Sequence, residues 1–138
     1  MSITEQSITV GSLQWFYRQV RGDGDKPPVL LLHGLPSHSF TWCELMADLE
    51  NLGFSAIAPD WIGFGSSAKP DRRDFAYTPD AYVEALTALL SALEIEKFSS
   101  IVQGFLGSVG LQYALRHPDR IERLIILNTP LSKAAQLP

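Results

Sequence analysis

The run Val102-Gln103-Gly104-Phe105-Leu106-Gly107-Ser108-Val109-Gly110 constrains the fold of this chain more than any other stretch. It follows an apolar, strand-like segment, Phe98 to Gln103, and opens a helical pattern that ends at Arg116-His117-Pro118. A strand passing straight into a helix needs a sharp turn. Enzymes use such a turn as a nucleophile elbow, which lifts a Ser, Cys or Asp clear of the backbone and has small residues two before and two after it. Counting back along the helix from His117-Pro118 puts the apex at Gly104, which has no side chain to lift. Its flanks, Val102 and Leu106, are not small. Nothing at the apex can attack a substrate.

Two further motifs give this turn a context. Leu30-Leu31-Leu32-His33-Gly34-Leu35-Pro36 reads as a buried strand running into a His-Gly-x-Pro loop. Asp60-Trp61-Ile62-Gly63-Phe64-Gly65-Ser66-Ser67-Ala68-Lys69-Pro70 follows a second strand, Phe54 to Ala58. Together with the Gly104 turn and Arg116-His117-Pro118-Asp119-Arg120-Ile121, these ordered motifs resemble the α/β-hydrolase family, nearest its epoxide hydrolase and haloalkane dehalogenase branches. The resemblance runs from about Gln6 to Pro130. It implies an α/β fold in which a mostly parallel sheet carries helices on both faces and is truncated after its sixth strand. The implied lateral order is 1-2-4-3-5-6, with the first two strands as an antiparallel edge.

The rest of the chain fits that architecture. Gly11-Ser12, between Ile8 to Val10 and Leu13 to Val20, is a two-residue hairpin signal with Gly first. Gly22 to Pro28 leads into the strand Val29 to Leu32. Trp42, Leu45, Met46, Leu49 and Leu52 recur at helical spacing, and Gly53 is a natural stop. Thr78 before Pro79 is an N-cap followed by proline at the first helical position, and the helix it starts runs towards Leu93 with Val83, Leu86, Leu90 and Leu93 on its apolar face. A last strand runs from about Arg123 to Leu127. Strands alternating with helices, most of them apolar throughout, predict a parallel sheet covered on both sides.

The resemblance also assigns a site. In the family, the residue after His33-Gly34 and the residue after the nucleophile lend backbone N–H groups to an oxyanion hole, so the donors fall at Leu35 and Phe105. Each donor of such a hole contributes about 3–4 kcal/mol to transition-state binding. Backbone donors persist whatever the side chains become. The dehalogenase pattern departs at four places: its aspartate nucleophile falls at Gly104, its halide-binding Trp at Phe105, its halide-binding Asn at Leu35, and the acid of one subgroup at Asn128. These departures argue against dehalogenation. The family order is nucleophile, acid, histidine. After Gly104 the chain holds one histidine, His117, placed on the elbow helix. Residues 1–138 therefore read as a single domain, the amino-terminal part of a hydrolase core without its cap and later strands, and a longer product is expected to be the functional unit.

Other candidates have plainer readings. Ser108 is the one nearby substitute nucleophile, but it lies a turn into the helix, where a serine serves packing. Asp60 is expected to bond the backbone of its own turn, with Gly63 and Gly65 supplying positive φ. Gly104, Gly107 and Gly110 also form a G-x-x-G-x-x-G pattern, which resembles the phosphate loop of some dinucleotide reductases. That fingerprint should end its next strand on an acidic ribose ligand, a place held here by Leu127-Asn128.

A net charge of −4 gives no electrostatic case for nucleic acid or anionic membranes. No apolar run approaches the ~18 residues of a membrane span. Met1 to Gln6 lacks the apolar core of a signal peptide. Cys43 alone forms no internal disulfide, and neither His38 nor His117 has metal-ligand spacing. The expectation is a cytoplasmic protein with no cofactor or metal. Two functions stay open, a hydrolase of small ester- or epoxide-class substrates and a silent pseudo-hydrolase that holds a small apolar molecule. A third, weaker one is a dinucleotide-binding reductase-like module. Leu124 to Leu127 would form an apolar sheet edge, so self-association through residues 123–127 is expected.

Overall fold

The computed structural model describes residues 2–129. In chain order the elements are β1 (Thr4–Val10), β2 (Leu13–Val20), β3 (Val29–Leu32), α1 (Cys43–Asn51), β4 (Ala56–Pro59), α2 (Pro79–Ala92), β5 (Phe98–Gln103), α3 (Gly107–Arg116) and β6 (Ile121–Leu127). Single 3-10 turns at Ser39–Trp42 and Pro118–Arg120 precede α1 and β6. The sheet order is β1-β2-β4-β3-β5-β6, as the motifs implied. β1 and β2 pair antiparallel, and β2 pairs antiparallel with β4. β4, β3, β5 and β6 run parallel, so their carboxyl ends lie along one edge of the sheet.

Hydrophobic patterning explains this arrangement. All four residues of β3 and of β4 are buried, which is what a central parallel strand covered on both faces requires. Successive side chains of a strand point to opposite faces. Leu30 and Leu32 accordingly join one core with Val102, Leu86, Leu90 and Val109, under α2 and α3. Val29 and Leu31 join the other with Ile101, Met46 and Trp42, under α1. The Thr78 hydroxyl accepts the Ala81 N–H at 3.2 Å, and Pro79 opens α2. At the hairpin, Gly11 takes φ +62.

Three boundaries differ from the sequence expectation. β4 starts at Ala56 rather than Phe54, because the Phe54 N–H donates to the Leu49 carbonyl at 2.9 Å and closes the end of α1. Leu52, expected on the buried face of that helix, is 65% exposed. It caps α1, and Gly53 at φ +86 turns the chain away before Leu52 can reach the core. β6 begins at Ile121, two residues ahead of Arg123, with Phe98 as its first partner on β5.

β6 is the last strand of the sheet, and its outer side pairs with no strand among the described residues. Ile125, Ile126 and Leu127 stay 50%, 44% and 41% exposed. An apolar edge of this kind recruits further strands. Sedimentation velocity on the 138-residue chain should therefore show concentration-dependent association. Ile126→Lys should shift the distribution towards monomer, and a chain that is monomeric with or without the lysine would remove β6 as an interface.

Candidate functional site

Three strand exits meet at the carboxyl edge of the sheet. β3 lies between β4 and β5, so His33-Gly34-Leu35 leaves the sheet between Asp60 and Gly104. In open α/β sheets ligands bind outside the carboxyl ends of such strands. The β5 exit is a sharp strand-to-helix turn with Gly104 at its apex, at φ +70, in the left-handed region that glycine adopts without steric cost. The Gly104 N–H donates to the Leu127 carbonyl at 3.2 Å, and the Gly107 N–H returns to the Gly104 carbonyl at 3.1 Å. α3 begins there.

The β3 and β4 exits are joined by buried polar groups. The fully buried His33 ring lies 2.8 Å from the Gly34 carbonyl through Nδ1, and its Nε2 accepts the Trp61 N–H at 3.0 Å. Those partners require the tautomer protonated at Nδ1. The Trp61 indole N–H donates back to the His33 carbonyl at 2.9 Å. Asp60 Oδ1 accepts the Ser39 N–H at 2.6 Å, while Oδ2 accepts the Ser66 N–H at 2.8 Å. Ser67 donates to the Asp60 carbonyl and accepts the Phe16 N–H from β2.

The residues singled out in the sequence fall into two groups. Leu35 and Phe105 stand exposed on either side of Gly104, at 49% and 55%. Leu106, the flank two residues past the apex, is buried in the core beneath α2 and α3. It follows the apex by half a helical turn, which swings its side chain inward. Ser108 donates its hydroxyl to the Phe105 carbonyl at 2.9 Å, within the first turn of α3. Asn128 directly follows β6 at φ +48 and is exposed.

Asp60 does bond its own turn, but it also reaches across to the loop after β3, which local sequence does not reveal. Gly63 and Gly65 take φ +93 and +53, and a Cβ on Gly65 would run into the Asp60 carboxylate. The remaining glycines of the G-x-x-G-x-x-G pattern serve packing. A Cβ on Gly107 would lie 2.7 Å from Thr129 Oγ1, and one on Gly110 would lie 2.6 Å from Val102 Cγ1 and 2.9 Å from Leu32 Cδ1. Their spacing is thereby explained without a phosphate. Sequence reasoning missed Trp61 and Ser39 as partners of His33 and Asp60. The one available signal was a tryptophan directly after the aspartate at a strand exit.

Comparison with known proteins agrees with this geometry. A family model described as alpha/beta hydrolase fold matches residues 27–138. The cis-3-alkyl-4-alkyloxetan-2-one decarboxylase of Shewanella oneidensis is 41% identical over 108 residues, 78% of this chain and 34% of that protein. Haloalkane dehalogenase 1 of Mycobacterium bovis is 39% identical over 103 residues, 74% of this chain and 34% of that protein. An epoxide hydrolase from Vigna radiata superposes with a TM-score of 0.84 at 26% identity, covering 94% of this chain and 41% of that one. The chain thus spans about a third of the length of the curated relatives it matches.

His33 makes the site sensitive to acid. Burial holds its imidazole below the ordinary value of 6.5, outweighing the Gly34 hydrogen bond and the nearby Asp60 charge, which favour protonation. A base with a depressed folded pKa contributes stability that is complete above its unfolded value. That stability is lost as pH falls from about 6.5 through the lower folded value. Melting temperature should therefore drop progressively below pH 6.5. His33→Gln keeps an acceptor for the Trp61 N–H and should lower stability at pH 8 while flattening this acid limb. An unchanged limb in that variant would assign the acid sensitivity to other groups.

Proposed function

The chain belongs to the α/β-hydrolase fold family, and from that premise we propose that it is a silent member, a binding protein rather than a hydrolase. The observation that carries the reading is Gly104. It occupies the apex of the strand-to-helix turn, in left-handed backbone geometry, with no side chain to serve as nucleophile. Ser108 offers no substitute, because its hydroxyl is committed to the Phe105 carbonyl. Asn128, at the end of the strand after the turn, is not ionisable. Loss of a nucleophile removes most of the rate enhancement of a triad and leaves binding and oxyanion stabilisation.

What remains is a backbone site. By the family pattern the N–H groups of Leu35 and Phe105 would be the two donors of an oxyanion hole, and the side chains of the same residues are exposed apolar surface. Such a pair suits a small apolar molecule carrying one carbonyl or carboxylate oxygen. The decarboxylase, dehalogenase and epoxide hydrolase relatives indicate small organic substrates for the scaffold, but their chemistry needs a group this apex lacks.

Purified protein should give no turnover above buffer with panels of esters, epoxides and haloalkanes, and Ser108→Ala should behave identically. Turnover abolished by that substitution would overturn the reading. A fatty or isoprenoid acid, unlike NAD(P), should raise the melting temperature. At about 100 times Kd such a ligand adds about 2.7 kcal/mol of stability, well within the reach of a thermal shift assay.

A further inference from the structure

Between β4 and α2 the chain runs from Asp60 to Thr78 without helix or strand. Connections of that length inside a compact domain are uncommon, and the ordered ones usually serve a function. The first part of this one, to Ser67, is tied to Asp60. Beyond it, a cavity of about 600 Å³ is lined by Gly63, Arg72, Ala76 and Tyr77. That volume lies within the range of small-molecule sites. We propose that this cavity binds a small aryl carboxylate, the Arg72 guanidinium taking the carboxylate and the Tyr77 ring packing on the aryl body. β3 separates β4 from β5, so the cavity is a second site, apart from the Gly104 turn, and does not depend on the silent reading of that turn.

Tyr77 is held in place as a wall. Its φ of +53 lies in the left-handed region, which a bulky side chain rarely adopts. The N-cap of α2 does not demand a tyrosine there, since Thr78 caps from extended backbone at φ −104 and glycine would enter the turn without strain. Strained backbone of this kind persists only where its surroundings over-determine it, and it clusters at ligand sites. Here the surroundings are explicit. The Tyr77 hydroxyl donates to the Pro70 carbonyl at 2.7 Å, and Phe75 meets the ring edge-on at 4.9 Å. A Cβ on Gly63 would lie 2.7 Å from Tyr77 Cε1, so glycine is what lets the ring lie on the backbone of the β4 loop.

Arg72 supplies the charge. It is exposed, and no carboxylate among the described residues lies within ion-pair distance of it. The neighbouring basic groups are occupied. Arg73 pairs with Asp71 at 3.3 Å, and Lys69 donates to the Gly65 carbonyl. Asp71 also accepts the Arg73 N–H at 2.9 Å, so its carboxylate is committed to residue 73. The Gly63 N–H is given to the Ala68 carbonyl at 2.8 Å, which leaves the Arg72 side chain as the donor for an anion. A guanidinium presents a planar fork that binds a carboxylate through two parallel N–H···O bonds. Ala76 and the Tyr77 ring are the apolar part of the lining. A bare anion would use the first feature only, whereas a flat aromatic acid uses both.

Benzoate titrated into the full chain at constant ionic strength should move the backbone amide signals of Gly63 and Tyr77 along saturable curves. Arg72→Gln should weaken that binding about tenfold or more while leaving the melting temperature unchanged, because the side chain is exposed. Arg73→Gln removes an equal charge from the same loop but not from the cavity lining, and it should leave the affinity unchanged. Inorganic phosphate, an anion without an aryl body, should bind more weakly than benzoate, and benzylamine should not bind. Absence of a saturable shift at Gly63 and Tyr77 would overturn the proposal. So would equal weakening by Arg72→Gln and Arg73→Gln, which would mark diffuse attraction to a basic loop, or phosphate binding as tightly as benzoate. Shifts confined to Leu35 and Phe105 would place the acid at the Gly104 turn and also overturn it.

Discussion

A buried histidine ties the ends of two parallel strands together, and the arrangement around Gly104 depends on that tie. His33 at the end of β3 and Trp61 just past β4 exchange two hydrogen bonds, ring to backbone and indole to backbone. Left unpaired, any of these buried groups would cost about 1–3 kcal/mol. Asp60 extends the network through two backbone N–H donors, Ser39 from the loop after β3 and Ser66 from its own turn. Hydrogen bonds to a carboxylate are roughly twice as strong as neutral ones. Ser67 then links the same strand end to β2 through Phe16. Loops that would otherwise move independently are thus held as one body with the sheet.

Aromatic packing fixes the far side of that body. Trp61 meets Tyr82 of α2 edge-on at 5.5 Å, and Phe75 meets Tyr82 and Tyr77 at 5.1 and 4.9 Å. Edge-to-face pairs contribute about 0.5–1.5 kcal/mol each beyond the area they bury. The Tyr82 hydroxyl donates to the Ile62 carbonyl at 2.6 Å, and burial pushes that phenol up to about 12, so it remains a neutral donor across the working range of pH. On the other side of the site, Gly107 and Gly110 let α3 lie close against β5 and Thr129. That approach draws Leu106 into the core and leaves Phe105 at the surface.

Much of the fold was legible because its signals are local or periodic. β5 spans Phe98–Gln103 as its apolar run predicted, the hairpin turns at Gly11, and Thr78 caps α2. The strand order came from the ordered motifs and the resemblance they carry, since no periodicity specifies which strands become neighbours. Where the reading missed, a tertiary bond had overruled a local pattern. Phe54 looks like strand but closes the helix before it, and Leu52 looks like core but caps that helix.

The site divides along the same line. Sequence alone determined that the apex of the turn carries no nucleophile, because the identity of residue 104 and the helix that follows it are both written locally. It also determined that Leu35 and Phe105 each keep a backbone N–H, since every residue but proline does. Only the tertiary structure decided how close Gly34 comes to Gly104, with a built Cβ falling 2.9 Å from the opposite Cα, and that Asp60 and His33 answer to Ser39 and Trp61. Those pairs lie far apart in the chain and meet because parallel strands end along one edge, a proximity that no local run of residues encodes.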